Sequence, residues 1–324
     1  MTTAENQYIK LESIFLPHAR KHRDDLYKSN EYVKFVHYTS AEAALNIIKS
    51  KRFWMRNTNC MADYKEVHHG YEILHKYFDS TKTKIFTDAL DKCAAGAATE
   101  AITLFNQWWG NIKYNTYITS ISEHDDTEDL HGRLSMWRAF GGNTARVAII
   151  LNVPRYSDGG EKLNLIFSPV AYLKEDEVHN VMDEVINNIK VDCDFLSSLD
   201  PKIVTENVFH MLLAGVTCLK HEGFKEEREW RAIYNPEFRP PSPLMESSTE
   251  IIGGVPQNIY KLPLDVTVSE SLADLEFSRI FDRVIIGPTP YSHVMHKAFS
   301  DTLTNAGVSH ADTKVFVSDI PIRS

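Results

Sequence analysis

Residues 146–151 read RVAIIL, an arginine followed by an unbroken apolar run. A strand with that pattern is buried on both faces, so it belongs in the middle of a sheet and needs cover on either side. No other segment of the 324 residues constrains the fold as tightly. Around it, periods of two and of 3.6 alternate without regularity. Residues 32–38 (YVKFVHY) are aromatic and β-branched and read as a strand. Thr39-Ser40-Ala41-Glu42 has the spacing of a capping box and opens a helix carrying Ala44, Leu45, Ile47 and Ile48. Residues 51–55 form a second short strand and 57–59 a loop, so His37 stands near the end of the first strand of a strand–helix–strand unit.

Further along, 63–79 and 83–109 read as helices, the second ending at Trp108-Trp109-Gly110. Residues 114–122 alternate as a strand, and 133–140 make a short helix stopped by Gly141-Gly142. Strand-like residues 162–172 precede helices at 174–190 and 202–221. A strand at 229–234 runs into a proline-rich loop at 235–248. A strand at 283–286, a helix at 292–305 and a strand near 314–317 complete the chain. Strands and helices do not alternate regularly, so the class is α+β rather than a doubly wound parallel sheet. Residues 5–27 read as an amphipathic helix packed on the body. The organisation expected is an N-terminal helical extension over 1–30 and a single α+β domain over 31–324.

With 43% hydrophobic and 24% charged residues the chain falls among globular proteins and outside the disordered class. A net charge of -9 disfavours broad attraction to nucleic acid, while leaving room for a local basic groove. Cys60, Cys93, Cys193 and Cys218 lack CxxC spacing, which fits neither a zinc site nor a disulfide framework; they read as buried thiols in a reducing cytosol. The N-terminus has no apolar signal core, and nowhere do ~18 apolar residues run together. A cytoplasmic protein without membrane association is expected.

Three polar clusters stand at strand ends: His37-Tyr38-Thr39, Ser120-Ile121-Ser122 and Glu227-Arg228-Glu229. Each has an ordinary reading beside the functional one. A histidine in an aromatic strand can be a hydrogen-bonded core residue, the serines outward-facing strand positions, and the glutamates part of a solvated charged face. His68, His69 and His75, and His293 with His296, have helical spacing but no matching acids or cysteines, so no metal is expected. Phosphate-loop, dinucleotide-fingerprint and nucleophile-elbow motifs are absent. Asp125 and Asp126 with the acids at 227–229 could serve a metal-dependent nuclease, but the accompanying lysine is missing. Trp54, Trp137 and Trp230 read as core.

Taken in order, HYTSAEAALNIIKSKRFWM (37–55), MADYKE (61–66), YITSIS (117–122), MWRAFGG with RVAII (136–150), FKEEREWR (224–231) and VIIGP (284–288) resemble the uncharacterised bacterial domain family DUF2971. That family is grouped with the ADP-ribosyltransferase-like fold. Two departures stand out: MADYKE lacks the family's proline, and Phe140 occupies a position where the family often has tyrosine. The resemblance implies a bent, split mixed β-sheet of ADP-ribosyltransferase type with flanking helices, gripping NAD as substrate in its cleft. It implies that His37 touches the ribose and amide end of NAD, supported by Thr39. Ser120 and Ser122 take the middle-strand position, Glu229 is the catalytic carboxylate and Glu227 its neighbour, and Tyr38 or Trp54 stacks on a planar ring. Alternate strand residues face one side, so Glu227 and Glu229 would act together. The leading expectation is an NAD-dependent ADP-ribosyltransferase-like enzyme that modifies a protein or nucleic acid, or hydrolyses NAD. Its expected setting is bacterial toxicity or defence, with a partner or antitoxin protein. Against it stand a catalytically silent ligand-binding or protein-interaction module and, third, the nuclease.

Overall fold

The computed structural model describes residues 3–28, 30–61, 66–78, 81–140, 145–238 and 240–321. Most of the MADYKE stretch and the Gly141-Gly142 stop lie outside the described residues. The strands are β1 (Tyr32–Ser40), β2 (Arg52–Asn57), β3 (Tyr117–Glu123), β4 (Arg146–Pro154), β5 (Ile166–Pro169) and β6 (Ala171–Tyr172). They continue as β7 (Leu219–Lys220), β8 (Glu229–Tyr234), β9 (Glu246–Ile252), β10 (Val255–Pro263), β11 (Phe281–Ile286) and β12 (Val315–Val317).

Where the sequence suggests a short extension and one domain, the chain forms two compact units, each assembled from separate stretches. One comprises residues 1–28, 58–116 and 168–225, the other 29–57, 117–167 and 226–324. The N-terminal residues are not an appendage, because helix Thr3–Phe15 packs on helices Glu175–Val191 and Pro201–Thr217 within the first unit. The single helix expected there breaks at Pro17, which begins a second helix, Pro17–Tyr27. The long helix expected over 83–109 is likewise two, Thr81–Leu90 and Ala97–Asn115, separated by a turn that uses Gly96 at φ +81°. Gly110 lies inside the second of these rather than ending it.

In the first unit, helix Pro201–Thr217 packs against Ala97–Asn115 and Glu66–Phe78. Helix Glu66–Phe78 crosses it at a point where both sides are glycine. A Cβ on Gly70 would stand 2.6 Å from the Gly215 carbonyl oxygen, and one on Gly215 would stand 2.7 Å from a Leu74 methyl. The two helices are therefore as close as backbones allow. β6 and β7 add a short parallel pair.

The second unit is a mixed, bent sheet ordered β12-β11-β4-β1-β3-β2-β10-β9, antiparallel except for β11 with β12. β4 runs through its middle between β1 and β11, and its alternate residues enter two cores. Val147, Ile149 and Leu151 join the larger one with Phe53, Tyr117, Tyr234, Phe281 and Phe299. Ala148 and Ile150 join the smaller one with Val36, Tyr38, Met136, Trp137 and Ile285. Helix Ala41–Ser50 covers the larger core through Ala44, Ile47 and Ile48. Its N-cap is Ser40, whose Oγ accepts from the Ala43 amide at 3.2 Å; Thr39 stays in the strand. The β9–β10 hairpin, turning at Gly253 and Gly254 with φ of +60° and +80°, occupies part of the expected loop. Among the described residues no helix is long and apolar enough to cross a membrane.

Gly70 and Gly110, both inside helices, separate propensity from packing. Gly110→Ala, with nothing within 4 Å of the added carbon, should raise stability by about 0.5–1 kcal/mol. Gly70→Ala should lower it by about 2 kcal/mol despite the same propensity gain, because backbone must move. Urea denaturation of the two variants beside the parent chain measures both.

Candidate functional site

β3 lies at the centre of the site because two strands share one of its edges. β1 pairs with its end, Val36 opposite Ser122 and Phe35 opposite Glu123. β2 pairs with its beginning, Arg56 opposite Ile118 and Asn57 opposite Tyr117. Between these contacts β1 and β2 diverge, and the sheet splits beside residues 119–121. The Ser120 carbonyl in that gap accepts a hydrogen bond from His37 Nδ1 at 2.9 Å. A carbonyl only accepts, so Nδ1 carries the proton and Nε2 of the neutral ring is left as an acceptor. Phe53 of β2 meets the imidazole edge-on at 5.2 Å. Burial, partly offset by the Ser120 hydrogen bond, holds His37 below the ordinary histidine range, although part of its surface remains open.

On its other edge β3 pairs with β8 along its length, Ser122 opposite Glu229 and Ser120 opposite Arg231. Directly opposed and alternate residues share a face, so these four side chains form one polar patch. Ser120 Oγ donates to Glu229 Oε1 at 2.5 Å. Arg231 grips the same carboxylate with two bonds, Nε to Oε1 at 2.8 Å and Nη2 to Oε2 at 3.0 Å. Glu229 and Arg231 are 7% and 3% exposed, so this charge-assisted pair is shielded from water and holds the carboxylate in a fixed orientation.

The structure thus brings Ser120, Ser122 and Glu229 together. His37 joins them through the main chain of Ser120 only. Val36, not His37, stands opposite Ser122, while His37 pairs with Ile149 on the side of the larger core. Thr39 lies on β1 opposite Val147. Tyr38 points into the smaller core, edge-on to Trp137 at 4.9 Å, with its hydroxyl accepting from the Arg133 amide at 2.8 Å. Burial pushes the Tyr38 phenol up to about 12. Trp54 is half-buried with Lys261 Nζ 6.0 Å from its ring centre, whereas Trp137 and Trp230 are fully buried. The alternation expected to unite Glu227 with Glu229 does not reach Glu227. That residue closes the 3-10 turn Glu222–Glu227, and Arg228 turns the chain at φ +45° before β8 begins.

Sequence reasoning missed the residue that holds this turn. Arg133, the N-cap of helix Leu134–Ala139, donates from Nη1 to the Glu226 carbonyl at 2.7 Å and from Nη2 to the Glu123 carbonyl at 2.9 Å. Its Nε and Nη2 also bind both oxygens of Glu128, at 3.0 and 3.1 Å, and Arg228 Nη2 reaches Glu128 Oε1 at 2.7 Å. One guanidinium therefore ties the end of β3 to the entrance of β8. The only sequence signal is an arginine where a polar N-cap would be usual. Beside it, His124 contacts Asp129 at 2.8 Å, and Asp129 also receives Lys34. Burial lowers His124 despite Asp129, and its Nδ1 is buried without a hydrogen bond, 4.0 Å from Glu128 Oε2. Among the described residues no three histidine, cysteine, aspartate or glutamate side chains are grouped to hold a metal ion.

Residues 136–232 match the family model described as a protein of unknown function (DUF2971). The match includes β4, Glu227 and Glu229, while His37, Ser120 and Ser122 precede it. No curated protein and no solved structure matches the chain.

Two outcomes follow for stability. Arg133→Ala takes two donors from Glu128, which keeps Arg228 alone, and removes the guanidinium from the Glu226 and Glu123 carbonyls, so it should cost about 3 kcal/mol by chemical denaturation, with Arg133→Lys intermediate. His37 and His124 are both lowered from 6.5, so as the pH falls through that value the unfolded chain takes up protons that the folded chain does not. Thermal midpoints should therefore decline below about pH 6.5, and His124→Asn should flatten the decline.

Proposed function

We propose that this DUF2971-matching chain carries out NAD-dependent glycosyl chemistry of the ADP-ribosyltransferase kind at the patch where β3 meets β8. The supporting observation is the Glu229 carboxylate, held at 2.5 Å by Ser120 beside the split in the sheet. Cleaving the bond between nicotinamide and ribose develops positive charge on the sugar, and an oriented carboxylate stabilises that charge as it forms. In this reading a ribose hydroxyl takes the place of the Ser120 hydroxyl as donor to Glu229 Oε1. Arg231 keeps the carboxylate from turning during the exchange. His37, which lies on the other face and meets the patch only at the split, has its proton committed to the Ser120 carbonyl and in this reading offers Nε2 through that gap to the amide or ribose end of the substrate. Water as acceptor gives NAD hydrolysis, and a nucleophile on a protein or nucleic acid gives transfer. A bacterial toxin or defence effector is the setting this chemistry suits.

A second reading is favoured by one feature. The two-bond clasp of Arg231 on Glu229 is also what a purely structural buried ion pair looks like, and it would suit a ligand-binding module without catalysis.

Nicotinamide release from NAD by the purified chain, with and without cell lysate as a source of acceptor, separates the two. The catalytic reading expects release to fall by about 100-fold or more in Glu229→Gln, and more modestly in Ser120→Ala, which leaves the ion pair intact. Release unchanged in both variants, or no release together with no NAD binding by calorimetry, overturns it in favour of the binding module.

A further inference from the structure

Helices Glu66–Phe78 and Ala97–Asn115 of the first unit both pack on Pro201–Thr217, the former at the tight Gly70–Gly215 crossing. Toward each other they turn apolar stripes. Tyr71, Leu74 and Phe78 follow the i, i+3, i+7 spacing of a core-facing surface on one helix, and Ile102 and Phe105 lie i, i+3 on the other. The two helices touch at the stacked rings of Tyr71 and Trp109, whose centres are 3.9 Å apart at 20°. Beside that stack the stripes enclose a cleft of about 170 Å³, with Leu212 of Pro201–Thr217 also in its lining. His75 and Asn106 line it as well, one on each helix. Both are exposed, and neither side chain makes a hydrogen bond among the described residues.

We propose that this cleft binds one small planar aromatic molecule carrying a single hydroxyl or ring N–H, of the size of phenol or indole. The volume fits, because an apolar cavity of ~150 Å³ is enough to take up a benzene ring and this one is slightly larger. The walls favour a ring over an aliphatic group, since Tyr71, Phe78 and Phe105 offer it offset and edge-on contacts. These walls are braced from behind. Phe86 meets Phe78 edge-on at 5.6 Å, and Trp109 lies tilted against Phe105 at 6.2 Å. The polar groups select the substituent. Asn106 carries both an amide donor and a carbonyl acceptor, and an imidazole such as His75 also has two nitrogens for hydrogen bonding. Thr83 does not compete for it, because its hydroxyl is committed to the Phe78 carbonyl. Among the described residues no lysine or arginine lines the cleft, so an anionic substituent would enter without a counter-charge. The ligand is therefore uncharged and unlike NAD, and the cleft is a site separate from the β3–β8 patch.

The test is a ligand-observed NMR titration of the full-length chain with phenol, indole, benzene and cyclohexanol. Phenol and indole should bind saturably with a dissociation constant of about 1 mM, near what so small a ligand supports. Benzene, which lacks the polar group, and cyclohexanol, which lacks the flat ring, should each bind about 10-fold more weakly. Replacing both polar groups, His75→Leu with Asn106→Leu, should bring phenol down to the level of benzene and leave benzene unchanged. Ile102→Trp, which fills the cleft with an indole of the chain's own, should abolish binding of all four. The ranking of the four ligands on the parent chain stands even if a variant folds poorly. No saturable binding of phenol or indole up to ~20 mM, or cyclohexanol bound as tightly as phenol, would overturn the proposal. So would phenol binding that is unchanged in the double variant or that survives Ile102→Trp.

Discussion

The burial of β4 on both faces is the constraint from which the sheet unit follows. Its odd-numbered apolar residues enter one core and its even-numbered ones the other, so neither face can be given up to solvent. A one-residue slip of β1 against β4 would turn Val36 and Tyr38 out of the smaller core and put Phe35 and His37 in their place. Register on β1 is thereby fixed along Tyr32 to Ser40, and with it the position of His37 at the split. The edge of β3 then divides between β1 and β2 because helix Ala41–Ser50, packed on the larger core, returns the chain at an offset.

The polar patch depends on this frame but obeys different energetics. A carboxylate, a guanidinium and the Ser120 hydroxyl facing one another between strands are costly to desolvate, and they persist because they satisfy each other. Ser120 links the two sides of the sheet, its side chain serving Glu229 and its main chain serving His37. Movement of β3 would be felt by both.

Much of this was legible from residue patterns. RVAIIL announced the central strand, YVKFVHY its neighbour, and EWRAIY the strand carrying Glu229, because period-two alternation survives wherever a strand packs. The β9–β10 hairpin was not read, although Gly253-Gly254 is a usable turn signal, because exposed strand residues such as Glu250 and Ile251 dilute the pattern. Helix breaks at Pro17 and Gly96 were hidden by apolar spacing that continues across them. In the site, two of the three strand-end clusters supply Ser120, Ser122 and Glu229, which lie side by side on the paired strands β3 and β8. The separation of His37 from their face depends on where β1 leaves β3, which is set by tertiary pairing and leaves no local trace. Arg231 is two positions from Glu229 and would be found by pairing charges along β8. Arg133 acts through main-chain carbonyls of distant segments, and nothing in its neighbourhood announces that.

The left-handed turn at Arg228 has a consequence for how variation in such chains is interpreted. A residue at φ +45° tolerates glycine or asparagine and resists β-branched replacements. Arg133 and Glu128 can change only together with the carbonyls and the arginine they hold. Evolutionary restraint at 128, 133 and 228 would therefore mimic the signature of reacting groups while recording only the geometry of a bend, so invariance here ranks below contact with ligand as a guide to chemistry.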